Sequence, residues 1–243
     1  MISENNKLNL PPAARVFVLY QRTGILPKRK ISFLDRVINR IGMRKNSYES
    51  FVQEYAKNNG SKIDEDYSNI MNEEAKSLIE KIPSQTRSIL DIGCGIAALQ
   101  VYLYRLLNKP DIYLLDKTEL ESKVWYMFEP KGAFYNSMEL ASDVLTSNGI
   151  PDQKIKTLEA PDDGIINLET GSIDFVISTI SWGFHFPVST YLKSVVNVLS
   201  ENGILIIDIR KDTGGENELK TEFQIEPIRI FSKYITYRCK KIR

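Results

Sequence analysis

The segment Ser88-Ile-Leu-Asp91-Ile-Gly93-Cys-Gly95-Ile-Ala97-Ala98 constrains the fold more than any other part of the chain. A short apolar run enters two glycines one residue apart and then passes into helix-forming residues. Glycine lets the backbone turn through conformations closed to other residues and approach a ligand where a side chain would stand in the way. Strand, glycine turn and helix in that order open a parallel sheet that binds a nucleotide outside the strand's carboxyl end. Asp116 stands 21 positions after Gly95, at the end of the next apolar run, where such folds place a carboxylate for ribose hydroxyls.

The rest of the chain after Pro83 fits that beginning, because short apolar runs alternate with helical periodicity as in a parallel sheet with crossover helices. Strands are expected at Ser88–Ile92, 112–116, 155–158, Ile173–Ser178 and 204–209, and helices at 97–107, 134–147 and 187–199. In the second helix Met138, Ala141, Val144 and Leu145 share a side and Asn148-Gly149 is the stop signal. Pro187 opens the third, which closes before Asn202-Gly203. Two further strands, 223–231 and 234–239, are joined by a turn at Ser232-Lys233. Ahead of Pro83 the pattern is helical at 48–57 and 67–81. The expected architecture is α/β and Rossmann-like: a nucleotide-binding domain over 85–243 preceded by a helical extension over 1–84.

Charge narrows the function. Lys and Arg number 32 against 31 Asp and Glu, a net charge of +1, so the molecule lacks the overall field that drives nucleic-acid binding, and a nucleic-acid partner is disfavoured. The imbalance is local: residues 1–45 carry ten basic side chains opposed only by Glu4 and Asp35. Within this arm Ile31, Leu34, Val37, Ile38 and Ile41 recur at helical spacing with Arg36, Arg40 and Arg44 between them. Such a helix either packs on the domain or makes peripheral contact with an anionic membrane. No apolar run is long enough to span a membrane, and the first ten residues are polar, unlike a secretion signal. Cys94 and Cys239 lack metal-type spacing, which fits a reducing, cytoplasmic setting.

Gly93-x-Gly95-x-x-Ala98 also satisfies the dinucleotide fingerprint, so the loop by itself leaves two cofactors open. Asp91 discriminates between them. A carboxylate two residues before the first glycine can receive the methionyl ammonium of S-adenosylmethionine (SAM), whereas it would repel a pyrophosphate. Asp-x-Gly-x-Gly-x-Ala resembles the first motif of class I SAM-dependent methyltransferases, with Ala97 where that family usually has glycine. The resemblance runs from about residue 72 to the C-terminus and implies a mostly parallel seven-stranded sheet ending in an antiparallel hairpin. It implies further that Asp91, Gly93 and Gly95 line the methionine and ribose end of SAM, that Asp116 holds the ribose diol, and that Asp162, in Ala160-Pro-Asp162-Asp163, contacts the adenine.

On the acceptor side, the fourth strand runs into a loop over 179–187, Thr-Ile-Ser-Trp-Gly-Phe-His-Phe-Pro, which holds the only histidine. It lacks the Asn/Asp-Pro-Pro-aromatic motif of nucleobase amino methyltransferases and the acidic pair a metal-dependent catechol enzyme needs, so no metal is expected. The stretches 134–137, 148–151 and 181–187 resemble a branch of bacterial sugar O-methyltransferases, which implies methyl transfer to oxygen of a small, polar, sugar-like metabolite. Trp182, Phe184, Tyr135 and Trp125 are the candidate acceptor contacts. Trp125 belongs to the long connection 117–132, either a lid or a satellite hydrophobic cluster. His185 is the candidate general base, since imidazole titrates near neutral pH, with Tyr135 and Asp163 in reserve. An NAD(P)-dependent oxidoreductase and a non-catalytic cofactor-binding module remain the alternatives.

Overall fold

The computed structural model describes residues 7–27, 47–118, 123–126, 129–133 and 136–242. The basic helix expected at 31–45 lies outside them. Seven strands form the main sheet: β1 Ser88–Ile92, β2 Asp111–Asp116, β5 Ile155–Glu159, β6 Ile173–Ser178, β8 Leu199–Arg210, β9 Phe223–Ile230 and β10 Tyr234–Lys241. Their order is β5-β2-β1-β6-β8-β10-β9. The first four pairings across it are parallel and β10 runs antiparallel to both β8 and β9. The expected sheet and terminal hairpin are therefore present.

Helices α1 Ala14–Gln21, α2 Ser47–Asn58, α3 Gly60–Ile79, α4 Ala98–Leu106 and α5 Met138–Ser147 supply the apolar residues that share a core with one sheet face. The α6 Leu192–Val198 and α7 Gly215–Leu219 helices contribute to a core on the other. Side chains alternate along a strand. Ile89, Phe175, Ile177, Ile204 and Ile206 enter the first core, while Leu90, Ile92, Val176, Leu205, Ile207 and Ile209 enter the second. Asp91 sits between Leu90 and Ile92, Asp208 between Ile207 and Ile209, and Asp116 follows Leu115, so the same alternation turns all three carboxylates toward the first face, under the N-terminal helices. That extension is pinned there. Arg15 on α1 makes a two-pronged ion pair with Asp64 on α3, both bonds 2.9 Å, and the Leu8 N–H donates to Ser68 Oγ at 2.9 Å.

Four local readings need correction. Residues 179–187 are not a plain loop: β7, Ser181–Phe186, is extended and packs along β8, with Trp182 buried in the core and Gly183 close against Ile207 and Ile209. The helix expected over 187–199 divides into a 3-10 turn, Val188–Thr190, and the short α6. Leu199 already pairs with Ile173, and the register shift before Ile204 takes up the Asn202-Gly203 turn inside β8. The helix expected from 134 starts at Met138, where the Ser137 hydroxyl caps it by accepting the Leu140 N–H at 3.2 Å. Finally, the 117–132 connection contains a separate antiparallel pair, β3 Lys123–Tyr126 with β4 Glu129–Ala133.

Candidate functional site

The glycine turn leaves the carboxyl end of β1 in a shape that requires glycine. Gly93 and Gly95 have φ of 74° and 54°, and a Cβ would come within 1.8 Å of Ser181 Oγ at the first and 2.8 Å of the Gln21 amide at the second. Ala97, at φ 56°, ends the turn before α4 begins. Asp116 braces it from β2: its Oδ2 accepts the Gly95 N–H at 2.9 Å and its Oδ1 the Lys117 N–H at 2.8 Å.

Asp91 lies behind the turn, 5% exposed, and accepts a hydrogen bond from Gln100 Nε2 on α4 at 2.8 Å. Burial outweighs that bond and pushes its pKa up to about 7, with further upward pressure from Asp116 and Glu74. Burial also pushes Asp116 up to about 6, against the two backbone hydrogen bonds. Asp208 on β8 is likewise raised to about 6 by burial. Three carboxylates costly to ionise thus lie on the same face of the sheet toward the carboxyl ends of their strands, and the Oε1 of the fully buried Gln100 has no hydrogen-bond partner. Such a site gains from a ligand that is cationic and donates hydrogen bonds; a pyrophosphate would add to the repulsion. The residues therefore fit the ammonium and sulfonium of SAM.

The expected cofactor residues Asp91, Gly93, Gly95 and Asp116 come together around one turn. Asp162 lies at the neighbouring loop edge, exposed and bridged to Lys117 Nζ at 2.6 Å, which lowers its pKa. The acceptor set separates. Trp182 is fully buried in the second core, its indole N–H donating to Val188 O at 2.9 Å and its ring edge-on to Tyr191, so it is a packing residue and not an acceptor contact. Tyr135 lies outside the described residues, and Trp125 is placed only as a residue of β3. Phe184 and His185 stand edge to face at 4.9 Å on β7.

Several contributors were missed in the sequence. Tyr234 meets Phe184 at 5.6 Å and stacks on Phe231 at 4.4 Å, while the Arg210 guanidinium lies 5.3 Å over Phe184. Because Tyr234 pairs with Arg210, the turn between β9 and β10 lies at the carboxyl edge, on the side of the glycine turn. From the other side α1 brings Gln21 onto Gly95, and Arg22 approaches Glu74 at 3.7 Å. Only the aromatic run 179–187 hinted at such a wall, and nothing in the sequence pointed to Gln21, Gln100 or Asp208. Among the described residues no group of three or more His, Cys, Asp or Glu is placed to hold a metal ion.

No protein-family model matches the chain. Its structure is similar to that of a protein from Pyrococcus horikoshii OT3, with a TM-score of 0.53 and 15% identity over 69% of this chain and 87% of that one. It is also similar to a SAM-dependent methyltransferase from Aquifex aeolicus, with a TM-score of 0.50 and 12% identity over 69% and 89% of the two chains. The architecture is an α/β nucleotide-binding sheet whose last strands reverse. More narrowly, it is the Rossmann-like fold of class I methyltransferases.

Proposed function

We propose that the chain is a SAM-dependent methyltransferase acting on an oxygen of a small, polar, sugar-like acceptor. The observation that supports this reading is the placement of the buried carboxylates of Asp91 and Asp116 about the glycine turn, where a pyrophosphate would be repelled. SAM supplies an electrophilic methyl group when bound. Asp91 receives the ammonium, Asp116 the ribose diol, and Asp162 stands at the adenine end. The α1 helix, with Gln21 on the turn, helps keep bulk water away, so that transfer depends on holding the acceptor oxygen in line in a dry site.

The acceptor lies along β7, from Ser181 beside Gly93 toward Phe184, Tyr234 and Phe231. Aromatic faces suit the C–H faces of a sugar ring, and Arg210 offers hydrogen bonds to hydroxyls. His185 is four residues beyond Ser181 on an extended strand, about 13 Å along it. That separation favours a role in binding the far end of the acceptor over direct proton abstraction at the reacting oxygen. A cytoplasmic setting belongs to the same proposal: Cys94 and Cys239 are unpaired, and no helix among the described residues is long and apolar enough to cross a membrane.

Calorimetric titration with S-adenosylhomocysteine and with NAD(H) tests the reading. Binding of the first and not the second is expected; binding of NAD(H) alone overturns it.

A further inference from the structure

The glycine turn is braced by Asp116 on one side, and the segment 179–181 lies against its other side. Ile180 adopts φ 51°, a left-handed conformation that a β-branched residue seldom enters and that persists only where its surroundings hold it. Its N–H donates to Asp208 Oδ2 at 3.1 Å. Asp208 is fully buried, and its Oδ1 accepts the Thr236 hydroxyl at 2.6 Å with Arg229 at 3.8 Å. The left-handed turn sets the direction of the next residue, Ser181, whose Oγ occupies the space a Cβ at Gly93 would need. Ser178 anchors the other limb, donating to Ile92 O at 2.8 Å and accepting the Trp182 N–H at 3.0 Å. A carboxylate buried near the end of β8 is costly even with these partners, and an apolar residue would serve packing better.

We propose that Asp208 is a positioning residue for cofactor binding: by accepting the Ile180 N–H it holds the left-handed turn that seats Ser181 on Gly93 and so fixes the glycine turn in its ligand-ready shape. The proposal rests on the SAM-binding reading above. Its distinguishing consequence is that glycine at position 180, which reaches positive φ without strain, makes Asp208 dispensable.

The test is calorimetric S-adenosylhomocysteine affinity, with melting temperature, for the full chain and its variants. Asp208→Ala should weaken binding by about tenfold or more, in line with the strain a left-handed Ile stores. The double variant Asp208→Ala with Ile180→Gly should return to within about threefold of Ile180→Gly alone. A purely structural Asp208 would lower the melting temperature with affinity unchanged, or show no rescue by glycine, and either result overturns the proposal. Should Asp208→Ala fail to fold, position 180 decides. Ile180→Asn, which tolerates the left-handed region, should keep its affinity, and Ile180→Pro, which can neither reach positive φ nor donate, should lose about tenfold. Wild-type affinity in Ile180→Pro overturns the proposal. A wild-type chain that binds no S-adenosylhomocysteine instead removes the SAM-binding reading on which the proposal rests.

Discussion

Asp91→Asn separates what the anionic cleft costs the fold from what it contributes to binding. Folding raises the Asp91 pKa to about 7. Between about pH 4 and pH 7 the folded protein therefore holds a proton that the unfolded chain, near 3.9, releases. Wild-type stability should accordingly rise as the pH falls through 7 and level off near 4, whereas above 7 the ionised carboxylate carries its full desolvation cost. Three powers of ten in proton affinity, at about 1.4 kcal/mol each, set an upper limit of about 4 kcal/mol on that cost. Asparagine has the same shape and no charge, and its amide can meet the unpaired Oε1 of Gln100. At pH 8 the variant should be about 2–4 kcal/mol more stable, which for a chain of this length is about 5–15 °C in melting temperature. Asp116 and Asp208 titrate in the same sense and both proteins carry them, so the comparison isolates Asp91 together with its repulsion from Asp116.

Binding should move the other way. Losing a charge-assisted hydrogen bond to the ligand's ammonium should weaken S-adenosylhomocysteine affinity by about 1.5–3 kcal/mol, or about 10–150-fold. Wild-type affinity should fall with acidity below pH 7 as protons compete for Asp91, and that dependence should be reduced in the variant. Differential scanning fluorimetry at pH 8 and pH 5 and calorimetry over the same range read both effects. The reasoning fails if the variant is no more stable at pH 8, if the stability difference does not shrink at pH 5, or if ligand affinity is unchanged.

Asp116→Ala, which removes the brace on Gly95 and the proposed diol contact, should cost about 1.5–3 kcal/mol in S-adenosylhomocysteine binding with the fold intact; equal affinity in the folded variant would take Asp116 out of the site. Gly95→Val should abolish binding, because valine is strained at φ 54° and its Cβ would meet the Gln21 amide at 2.8 Å, and normal affinity there would dissociate the turn from the cofactor. His185→Ala, assayed with an identified acceptor, should raise KM for the acceptor while keeping kcat within a few-fold. A loss of about 10²–10⁴ in kcat, together with loss of its rise through neutral pH, would instead establish His185 as the general base.

Elements whose identity depends on local pattern were legible in the sequence, and those that depend on a partner were not. Ile173–Ser178 is a mostly apolar run interrupted only by Asp174 before its closing serine, and its limits agree residue for residue with β6. Gly93, Gly95 and Asp116 announce themselves because a backbone turn and a strand-ending acid are local facts. Trp182 misled because an aromatic beside a flexible glycine looks the same whether it faces a cleft or a core; only the packing of β7 on β8 decides that. The α1 helix was overlooked because its eight residues do little by themselves, and its position comes from Arg15 meeting Asp64 across 49 residues. Asp208 reads in the sequence as an interruption of Ile-Leu-Ile-Ile-Asp-Ile, and its partner Ile180 is 28 residues away.

The same alternation that sorts the apolar side chains also assembles the chemistry. β1, β2 and β8 each send one acid to the face covered by the N-terminal helices, and in each case the acid stands at or near the carboxyl end of the strand. Shifting any one of these strands by one residue would turn its acid into the second core and bring an apolar residue into the cleft. The register that builds the hydrophobic layers therefore also fixes the electrostatics, and the cleft needs no special backbone beyond the turns at 93–97 and 180. Its cost is concentrated in raised carboxylate pKa values, which a cationic ligand lowers when it binds. Ligand affinity and folding stability should consequently respond to pH in opposite directions around neutrality, a coupling that neither a neutral nor an anionic cofactor would produce.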